Sequence, residues 1–406
     1  MTFSLFSRTV FVVASAPPPY DDTILPTRVI YASFVTLFHH LPENHPCFIT
    51  VLCGIIGTYN TILIYEVSSY TMRIAVVIPA YCAAKTIERV VLGIPRTVDN
   101  IIVVDDASND ATTNIVAALQ QEDERIHLVR HAQNQGVGGA MLSGYAKAVE
   151  LGAEFAVKMD SDNQMDPAFI PALVRPIHNG QADYVKGNRF LHFGELNRMP
   201  VRRRLGNIGL SLLMKIASGY WNIFDPTNGY TAIDTRVLSL LDLTRIDKRY
   251  FYESSMLLEL GMVQAVVRDI PIPARYGDEV SYLSVKDALL RFPGKLFKSF
   301  WRRVLIQYFI RDFSAVSLFL LSGVGASLFG LVFGIWKWII SSQSGIPATT
   351  GTVMLAVLPV IIGIQLLLQA IVMDIQNLPK TKIADDYVLS APHSSTPGMN
   401  RKSKVN

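Results

Sequence analysis

Short apolar runs of strand length alternate with amphipathic stretches of helical period from residue 73 to residue 272. A buried strand is a brief apolar run, whereas an amphipathic helix repeats its apolar positions every three or four residues. The predicted strands are residues 74–78, 101–104, 126–129, 155–159, 184–190 and 266–272. The predicted helices are residues 84–93, 111–122, 207–218 and 251–261, together with one that begins at a glycine turn and ends at residue 151. This alternation indicates an α/β fold with a doubly wound, mostly parallel sheet.

The C-terminal third has a different pattern. Residues 286–312 interleave basic and aromatic side chains, which is typical of helices lying in a headgroup layer, and residues 313–340 and 352–373 are each long and apolar enough to span a bilayer. The linker between the two spans, residues 341–351, is uncharged, whereas basic residues stand before the first span and after the second. This asymmetry predicts that the α/β domain faces the cytoplasm. The predicted regions are therefore 72–285 (α/β domain), 286–312 (juxtamembrane helices), 313–376 (two spans) and 377–406 (a polar tail, expected to be disordered after Pro379).

Residues 1–71 do not share the α/β pattern. Residues 47–65 form an uncharged apolar run of roughly spanning length that is interrupted by threonine and asparagine, and residues 3–16 resemble a weak signal peptide. Met72 stands directly before the first predicted strand. Our hypothesis is that translation naturally starts at Met72 and that the preceding segment is not part of the native protein; the alternative is a genuine extra membrane anchor.

Composition narrows the classes of function. Half of the 406 residues are hydrophobic, the formal net charge is only +4, and dense basic tracts with interleaved aromatics are missing from the α/β region, so we expect no nucleic-acid partner. Three cysteines without metal-ligand spacing predict neither a disulfide framework nor a zinc site.

Three polar motifs follow predicted strands directly: Pro79-Ala80-Tyr81, Asp105-Asp106 and Asp160-Ser161-Asp162. In open α/β sheets, ligands bind outside the carboxyl ends of the strands, so these motifs are expected to converge on one rim.

Asp160 and Asp162 are the strongest candidates for chemistry. They stand two residues apart at the end of an apolar strand, with no cationic partner evident nearby in the sequence. Such a pair suits a hard divalent cation that keeps open positions for phosphate oxygens; the alternative is a solvated, aspartate-rich turn. Asp166-Pro167 then predicts a helix start, with an N-cap before a proline.

The glycine turn at 134–139 invites comparison with a dinucleotide-binding loop. That fingerprint requires GxGxxG after the first strand, whereas these glycines follow the third and miss the spacing, so NAD binding is not expected. The turn is explained by close helix packing, with a backbone N–H contribution to ligand binding left open.

Four arginines, Arg198, Arg202, Arg203 and Arg204, fall within seven residues beside a mostly apolar helix. They fit an anion at a membrane surface; the alternative is a solvated charged face.

The chain resembles family 2 glycosyltransferases of the GT-A fold, particularly the polyprenyl-phosphate branch that includes dolichol-phosphate mannose synthases. The resemblance covers residues 73–285 and is carried by IPAY at 78–81, VVDDAS at 103–108, NQGVGGA at 134–140, DSD at 160–162, GNR at 187–189, DPTNGY at 225–230 and RYG at 275–277. Cys82 and Ala83 depart from it, because asparagine and an acidic residue are usual there.

The resemblance implies roles for particular residues. Pro79, Tyr81, Asp105 and Asp106 would line the nucleoside pocket, and Asp160 and Asp162 would hold Mg²⁺ or Mn²⁺ on the diphosphate, with Gln164 beside them. Arg189 and Arg275 would meet the nucleotide sugar, and Arg202 and Arg204 the acceptor phosphate.

Three alternative functions are compatible with these observations. The first is a membrane-bound, metal-dependent, inverting transfer of a sugar from a nucleotide-sugar donor to polyprenyl phosphate. The second keeps the fold but uses a sugar hydroxyl of a lipid-linked saccharide in cell-envelope assembly, which requires a base; Asp225 and Glu253 are the candidates. The third is a non-catalytic membrane scaffold.

Overall fold

The computed structural model describes residues 32–38, 48–54, 72–191, 201–273 and 285–384; for 32–38, 48–54, 191, 201–205, 207 and 285–291 it describes the backbone only. The chain divides into two compact units, Met1–Tyr70 and Thr71–Asn406.

The first unit contains a two-stranded antiparallel sheet. Strands β1 (Ala32–Phe38) and β2 (Phe48–Gly54) pair from Ala32 opposite Gly54 to Phe38 opposite Phe48. β2 covers residues 48–54 of the apolar run 47–65. The signal-like segment 3–16 lies outside the described residues.

The second unit is built on a seven-stranded sheet in the order β5-β4-β3-β6-β8-β7-β9. Its strands are β3 (Ile74–Ala80), β4 (Asn100–Asp105), β5 (Ile126–Arg130), β6 (Phe155–Lys158), β7 (Tyr184–Asn188), β8 (Thr231–Asp234) and β9 (Val267–Pro271). Only β8, among the described strands of this sheet, runs antiparallel to its neighbours. The predicted doubly wound, mostly parallel sheet is confirmed.

The helices of the second unit cover both faces of this sheet and then continue beyond it. They are α1 (Ile87–Leu92), α2 (Thr112–Glu122), α3 (Val137–Glu150), α4 (Ile170–His178), α5 (Val201–Ser218), α6 (Tyr252–Val263), α7 (Val285–Leu305), α8 (Ala315–Ser344) and α9 (Thr350–Gln376), with a π-helical stretch at Ile306–Arg311.

The central strands are buried on both faces, so their alternate residues enter two separate cores. Val77 and Ile102 pack with Tyr145 of α3 in one core, whereas Ile78 and Val103 lie with the side chains of α1, α2 and α4 in the other. Burial on both faces explains why these strands are continuous apolar runs.

Two strands differ from the prediction. β3 does not end before Pro79 but continues to Ala80, whose carbonyl accepts a hydrogen bond from the Asp106 N–H at 2.8 Å. β8 was not predicted: its four residues are too few to show a period, although they fill the position between β6 and β7.

The predicted spans 313–340 and 352–373 form the two long helices α8 and α9. Both are long and apolar enough to cross a membrane, and only 11% of the residues in their most apolar stretches are buried. Small residues let the helices approach each other: a Cβ on Gly323 would lie 3.0 Å from the Gly363 carbonyl oxygen.

The expectation of disorder after Pro379 is wrong for residues 380–384, because this segment packs against the sheet domain. Lys382 is 6% exposed, its ammonium lies 2.8 Å from Asp234, and the Ile383 and Ala384 N–H groups both donate to Asp183 at 3.1 Å. Buried carboxylates on the sheet domain fix this segment; residues 385–406 lie outside the described residues.

Candidate active site

The loops after β3, β4 and β6 contact one another at the carboxyl edge of the sheet. The Cys82 N–H donates to Ser108 Oγ at 2.9 Å, which joins the first loop to the second. Thr86 Oγ1 donates to the Ser161 carbonyl at 2.6 Å and joins the first loop to the third. The expected convergence of the three motifs is therefore present.

Tyr81 is the exposed member of the first motif, with 55% of its surface accessible, whereas Pro79 lies within β3. The next residue, Cys82, adopts φ 53°, in the left-handed region where asparagine is better tolerated than most side chains. The asparagine expected from the family pattern therefore has a backbone reason, and its replacement strains the loop.

Asp105 and Asp106 lie at the rim but face inward, with 2% and 3% exposure. Asp105 accepts hydrogen bonds from the Ser108 N–H at 3.0 Å and from the Thr113 hydroxyl. Asp106 accepts from the N–H groups of Gln135 (2.8 Å) and Gly136 (2.7 Å). Both carboxylates fix loops, so a direct nucleoside contact by either of them stays a prediction that would require these bonds to open.

The glycine turn is held within the protein. Gly136 has φ 85° and donates its N–H to Asp106, while the N–H groups of Gly138 and Gly139 point to the Lys248 carbonyl at 2.9 and 3.2 Å. A Cβ on Gly138 would overlap the Asp247 carbonyl. Close packing therefore explains the turn, and these three N–H groups are engaged by the protein.

Asp160 has a buried cationic partner. Lys158, two residues earlier and 1% exposed, places its ammonium 2.5 Å from Asp160 Oδ1 and 3.3 Å from Glu253 Oε1. The sequence argument that no cation lies near the aspartate pair is wrong: Lys158 sits in an apolar strand, and its second partner is distant in the chain.

Electrostatics stabilise the charged form of Lys158. Burial disfavours the ammonium, but the carboxylates of Asp160 and Glu253 outweigh this penalty and raise the pKa of Lys158 above its ordinary value. The cluster of Asp160, Lys158 and Glu253 thus carries one positive and two negative charges.

The turn that carries Asp162 is fixed by local bonds. The Gln164 N–H donates to Asp162 Oδ1 at 3.0 Å, and Asn163 adopts φ 61°. Asp166 caps the next turn by accepting from the Ala168 N–H at 3.0 Å, as predicted, although the first turn at Pro167–Phe169 is a 3₁₀-helix. Asp160, Asp162 and Gln164 consequently stand along one short loop.

The segment 225–230 closes the other side of the site. Asp225, 1% exposed, binds Arg189 through two contacts, Nε to Oδ2 at 2.8 Å and Nη2 to Oδ1 at 3.0 Å. A Cβ on Gly229 would overlap Lys158 Nζ and lie 2.9 Å from Asp160 Oδ2. A side chain at position 229 would therefore have to displace the Lys158–Asp160 pair.

Lys186 of β7 lies beneath this segment and donates to the Asn228 carbonyl. It is fully buried, and burial lowers its pKa to about 8 despite the neighbouring carboxylates of Asp225, Glu253 and Asp269. Lys158 and Lys186 were not assigned functions from sequence; the available signal was a lysine inside each of two apolar strands.

The predicted acceptor arginines can be placed only in part. Arg202 and Arg204 belong to the first turn of α5, so the helix is longer than predicted and includes them. Arg198 and Arg275 lie outside the described residues.

Residues 75–241 match the family model of glycosyl transferase family 2. The UDP-N-acetylglucosamine–dolichyl-phosphate N-acetylglucosaminyltransferase of Methanococcus voltae is 32% identical over 58% of this chain and 96% of its own length. The chain belongs to glycosyl transferase family 2. The undecaprenyl-phosphate mannosyltransferase of Micrococcus luteus is 30% identical over 50% of this chain and 83% of its own length. A crystal structure of Mycobacterium tuberculosis glucosyl-3-phosphoglycerate synthase with Mn²⁺ and UDP superposes with a TM-score of 0.43, at 21% identity over 57% of this chain and 80% of that one.

This family 2 glycosyltransferase is an enzyme, so the scaffold interpretation is set aside. Within the described residues no three His, Cys, Asp or Glu side chains form a metal cluster. Asp160 and Asp162 nevertheless fit a cation that is bound by one or two carboxylates and completed by phosphate oxygens and water. The Lys158 ammonium contacts Asp160 through Oδ1 and also lies next to the position that a Cβ on Gly229 would take.

Proposed function

We propose that this glycosyltransferase moves a sugar from a nucleotide-sugar donor to polyprenyl phosphate at a membrane. Two relatives that align over most of their own length carry names with a dolichyl or undecaprenyl phosphate acceptor. The apolar helices α8 and α9 would anchor the enzyme beside such a lipid, and the flanking basic residues favour a cytoplasmic position for the catalytic domain.

This proposal rests mainly on one observation: both candidate bases are engaged in ion pairs. Asp225 binds Arg189 through both carboxylate oxygens, and Glu253 pairs with buried Lys158. A proton taken up by either carboxylate would weaken an ion pair inside the site. A sugar hydroxyl needs such a base, whereas a phosphate monoester, with a second pKa of about 6, is already a nucleophile near neutral pH.

The reaction is a single displacement. An oxygen of the acceptor phosphate forms a bond to the anomeric carbon while the bond from that carbon to the donor diphosphate breaks, so the configuration inverts and a nucleoside diphosphate leaves. Arg189, held at a fixed angle by Asp225 and 30% exposed, would bind phosphate oxygens. Arg202 and Arg204, at the start of α5, would bind the acceptor phosphate.

A divalent cation held by Asp160 and Asp162, with Gln164 beside them, would neutralise charge on the leaving diphosphate. Lys158, on the strand that precedes this loop, holds the Asp160 carboxylate in place through their ion pair. Tyr81, exposed at the rim, is the residue of the first motif best placed to contact the nucleoside.

The test compares acceptors and candidate bases on the purified protein. A panel of nucleotide sugars is incubated with undecaprenyl phosphate or with a lipid-linked saccharide, and nucleoside diphosphate release and lipid product are measured. We expect an acid-labile lipid-phosphate-sugar. Glu253→Gln should keep most of kcat. Asp225→Asn should chiefly raise the apparent KM for the nucleotide sugar, because Arg189 loses its orientation.

The hydroxyl-acceptor alternative gives a different result. Undecaprenyl phosphate would be inert, the saccharide would be extended, and Asp225→Asn or Glu253→Gln would lower kcat by at least about a hundredfold at saturating substrate. Asp242→Asn is the matched control, because Asp242 also pairs with an arginine, Arg245, but lies in a different loop.

A further inference from the structure

A polar cluster joins the end of α9 to the catalytic domain. Asp374, near the last turn of α9, accepts a hydrogen bond from Trp221 Nε1 at 2.9 Å and pairs with Arg303 at 2.7 Å. The Tyr308 hydroxyl also donates to Asp374. One carboxylate thus connects a membrane-type helix, the juxtamembrane helix α7, the π-helical stretch and the segment after α5.

Arg303 extends this junction to α5. Its Nη2 donates to the Ile216 carbonyl at 3.0 Å, within the last turn of α5, where carbonyl groups lack intrahelical partners. Gly219, with φ 82°, makes the approach feasible, since a Cβ there would lie 2.8 Å from Arg303 Nη1. The arginine is 4% exposed, and the Asp374 carboxylate and the carboxyl end of α5 offset the cost of burying its charge.

The two segments that contact the Asp374–Arg303 pair, α5 and the segment that begins at Trp221, also carry or orient the arginines proposed to bind phosphate. The first turn of α5 carries Arg202 and Arg204, and Arg303 holds its last turn. Four residues after Trp221 comes Asp225, which orients Arg189. The Phe224 N–H between them donates to Asp269 at 3.1 Å, so the segment has little freedom to move separately.

We propose that Asp374 is a positioning residue: it sets the height and angle of the phosphate-binding arginines relative to the membrane helices, so that a bilayer-embedded acceptor phosphate meets the donor site. This inference rests on the proposed function. It assigns Asp374 no contact with the substrates and no part in the chemical step.

Energetics favour a geometric role over a purely stabilising one. A buried ion pair costs desolvation that its attraction often only balances, so its presence is weak evidence for stability. A neighbouring pair, Arg302 with Glu259 at 2.5 Å, already joins α7 to α6 without involving α9. Asp374 adds the one feature this second pair lacks, a connection from a membrane-type helix to Trp221.

The experiment separates the embedded acceptor from a soluble one. Full-length Asp374→Asn and wild-type protein are reconstituted in phosphatidylethanolamine–phosphatidylglycerol vesicles. Each is assayed with undecaprenyl phosphate in the bilayer and with water-soluble geranyl phosphate. We expect the apparent KM for undecaprenyl phosphate to rise by about tenfold or more, with kcat and both constants for geranyl phosphate within about twofold of wild type.

Further variants guard against misfolding. Glu259→Gln, the matched control, removes the neighbouring Arg302–Glu259 ion pair. It should leave the ratio of the apparent KM values for the two acceptors unchanged. Trp221→Phe keeps an aromatic ring but removes the indole N–H that donates to Asp374, and it should shift the ratio in the same direction by less. Asp374→Glu should restore part of the loss.

The outcomes distinguish the two proposals. If Asp374→Asn changes use of both acceptors equally, or of neither, the positioning role is wrong while the proposed function stands. If wild-type protein glycosylates neither prenyl phosphate, the proposed function fails, and the positioning role fails with it.

Discussion

Lys158 shows what a single residue contributes to this site. Its ammonium is buried between Asp160 and Glu253, so the three side chains form one charged unit. Both the strand and the aspartate pair could be predicted from local sequence. The unit could not, because its third member comes from α6 and only the packing of that helix against the sheet brings it near.

Asp160→Asn and Asp162→Asn should each lower turnover by at least about a hundredfold, because charge on the leaving diphosphate loses its stabilisation. Thermal unfolding should remain near wild type for Asp162→Asn, since Asp162 lies in a partly exposed loop. Asp160→Asn should lower Tm but leave the domain folded, because the buried Lys158 ammonium loses one of its two carboxylate partners. Binding of Mn²⁺, measured by electron paramagnetic resonance, should weaken in both variants. Wild-type rates together with unchanged Mn²⁺ binding in both variants would place the metal site elsewhere.

Asp269 gives a prediction about pH. Burial raises its pKa to about 6, against an ordinary value of 3.8. A carboxyl with a higher pKa in the folded chain binds more protons when folded, so its contribution to stability is present below pH 3.8 and is lost as pH rises through 6. Asp269→Asn does not titrate at this position, so it does not lose stability in this way as pH rises. The free energy of unfolding of the variant, relative to that of wild type, should therefore rise by at most about 3 kcal/mol between pH 4 and pH 7.

The measurement is the difference in apparent Tm between variant and wild type at each pH. Asp242 provides the control with the opposite sign, because hydrogen bonds from Thr244 and Arg245 lower its pKa. Asp242→Asn should therefore show a difference that stays level or falls as pH rises. A constant difference for Asp269→Asn across this range would contradict the prediction.

At the scale of elements, long periodic segments were predicted well and short connecting ones were not. The parallel strands and their crossover helices follow from hydrophobic pattern alone, because each strand is buried on two faces. This reasoning did not predict β8, and it identified the segment 225–230 before it only as a turn. Their positions depend on contacts across the sheet, such as Tyr230 Oη donating to the Asp166 carbonyl at 2.8 Å.

Gly229 tests whether this segment must lie close to the aspartate loop. A Cβ there overlaps Lys158 Nζ and crowds Asp160 Oδ2, so Gly229→Ala should displace the ion pair and lower kcat by about tenfold or more. Gly294→Ala is the matched control, because a Cβ at Gly294 of α7 has no neighbour within 4 Å among the described residues. Equal activity of the two variants would show that the segment tolerates displacement.

At the scale of the whole molecule, distant segments return to the sheet domain. Residues after α9 dock on Asp183 and Asp234, and Asp374 holds Trp221. Hydrophobic pattern predicts that α8 and α9 are long apolar helices, but it does not reveal these polar connections, since each joins residues more than a hundred positions apart. The catalytic and membrane-type parts are consequently linked more closely than their separate patterns indicate.

The remaining prediction concerns the first unit. A protein that starts at Met72 keeps all seven strands of the large sheet, the candidate site and both long helices. It also keeps Arg73, whose carbonyl accepts from the Glu154 N–H at 2.8 Å at the edge of the central strands. We therefore expect this shorter protein to insert in membranes and to match the full chain in Tm and in activity at equal membrane levels.

A protein that starts at Pro79 is the control for this experiment. It lacks most of β3, which pairs with both β4 and β6 in the middle of the sheet, and it should not fold. The boundary between the compact units, between Tyr70 and Thr71, agrees with a division just before Met72. Loss of insertion or of activity in the protein that starts at Met72 would show that residues 1–71 are needed for function, and would favour the interpretation of that segment as an additional anchor.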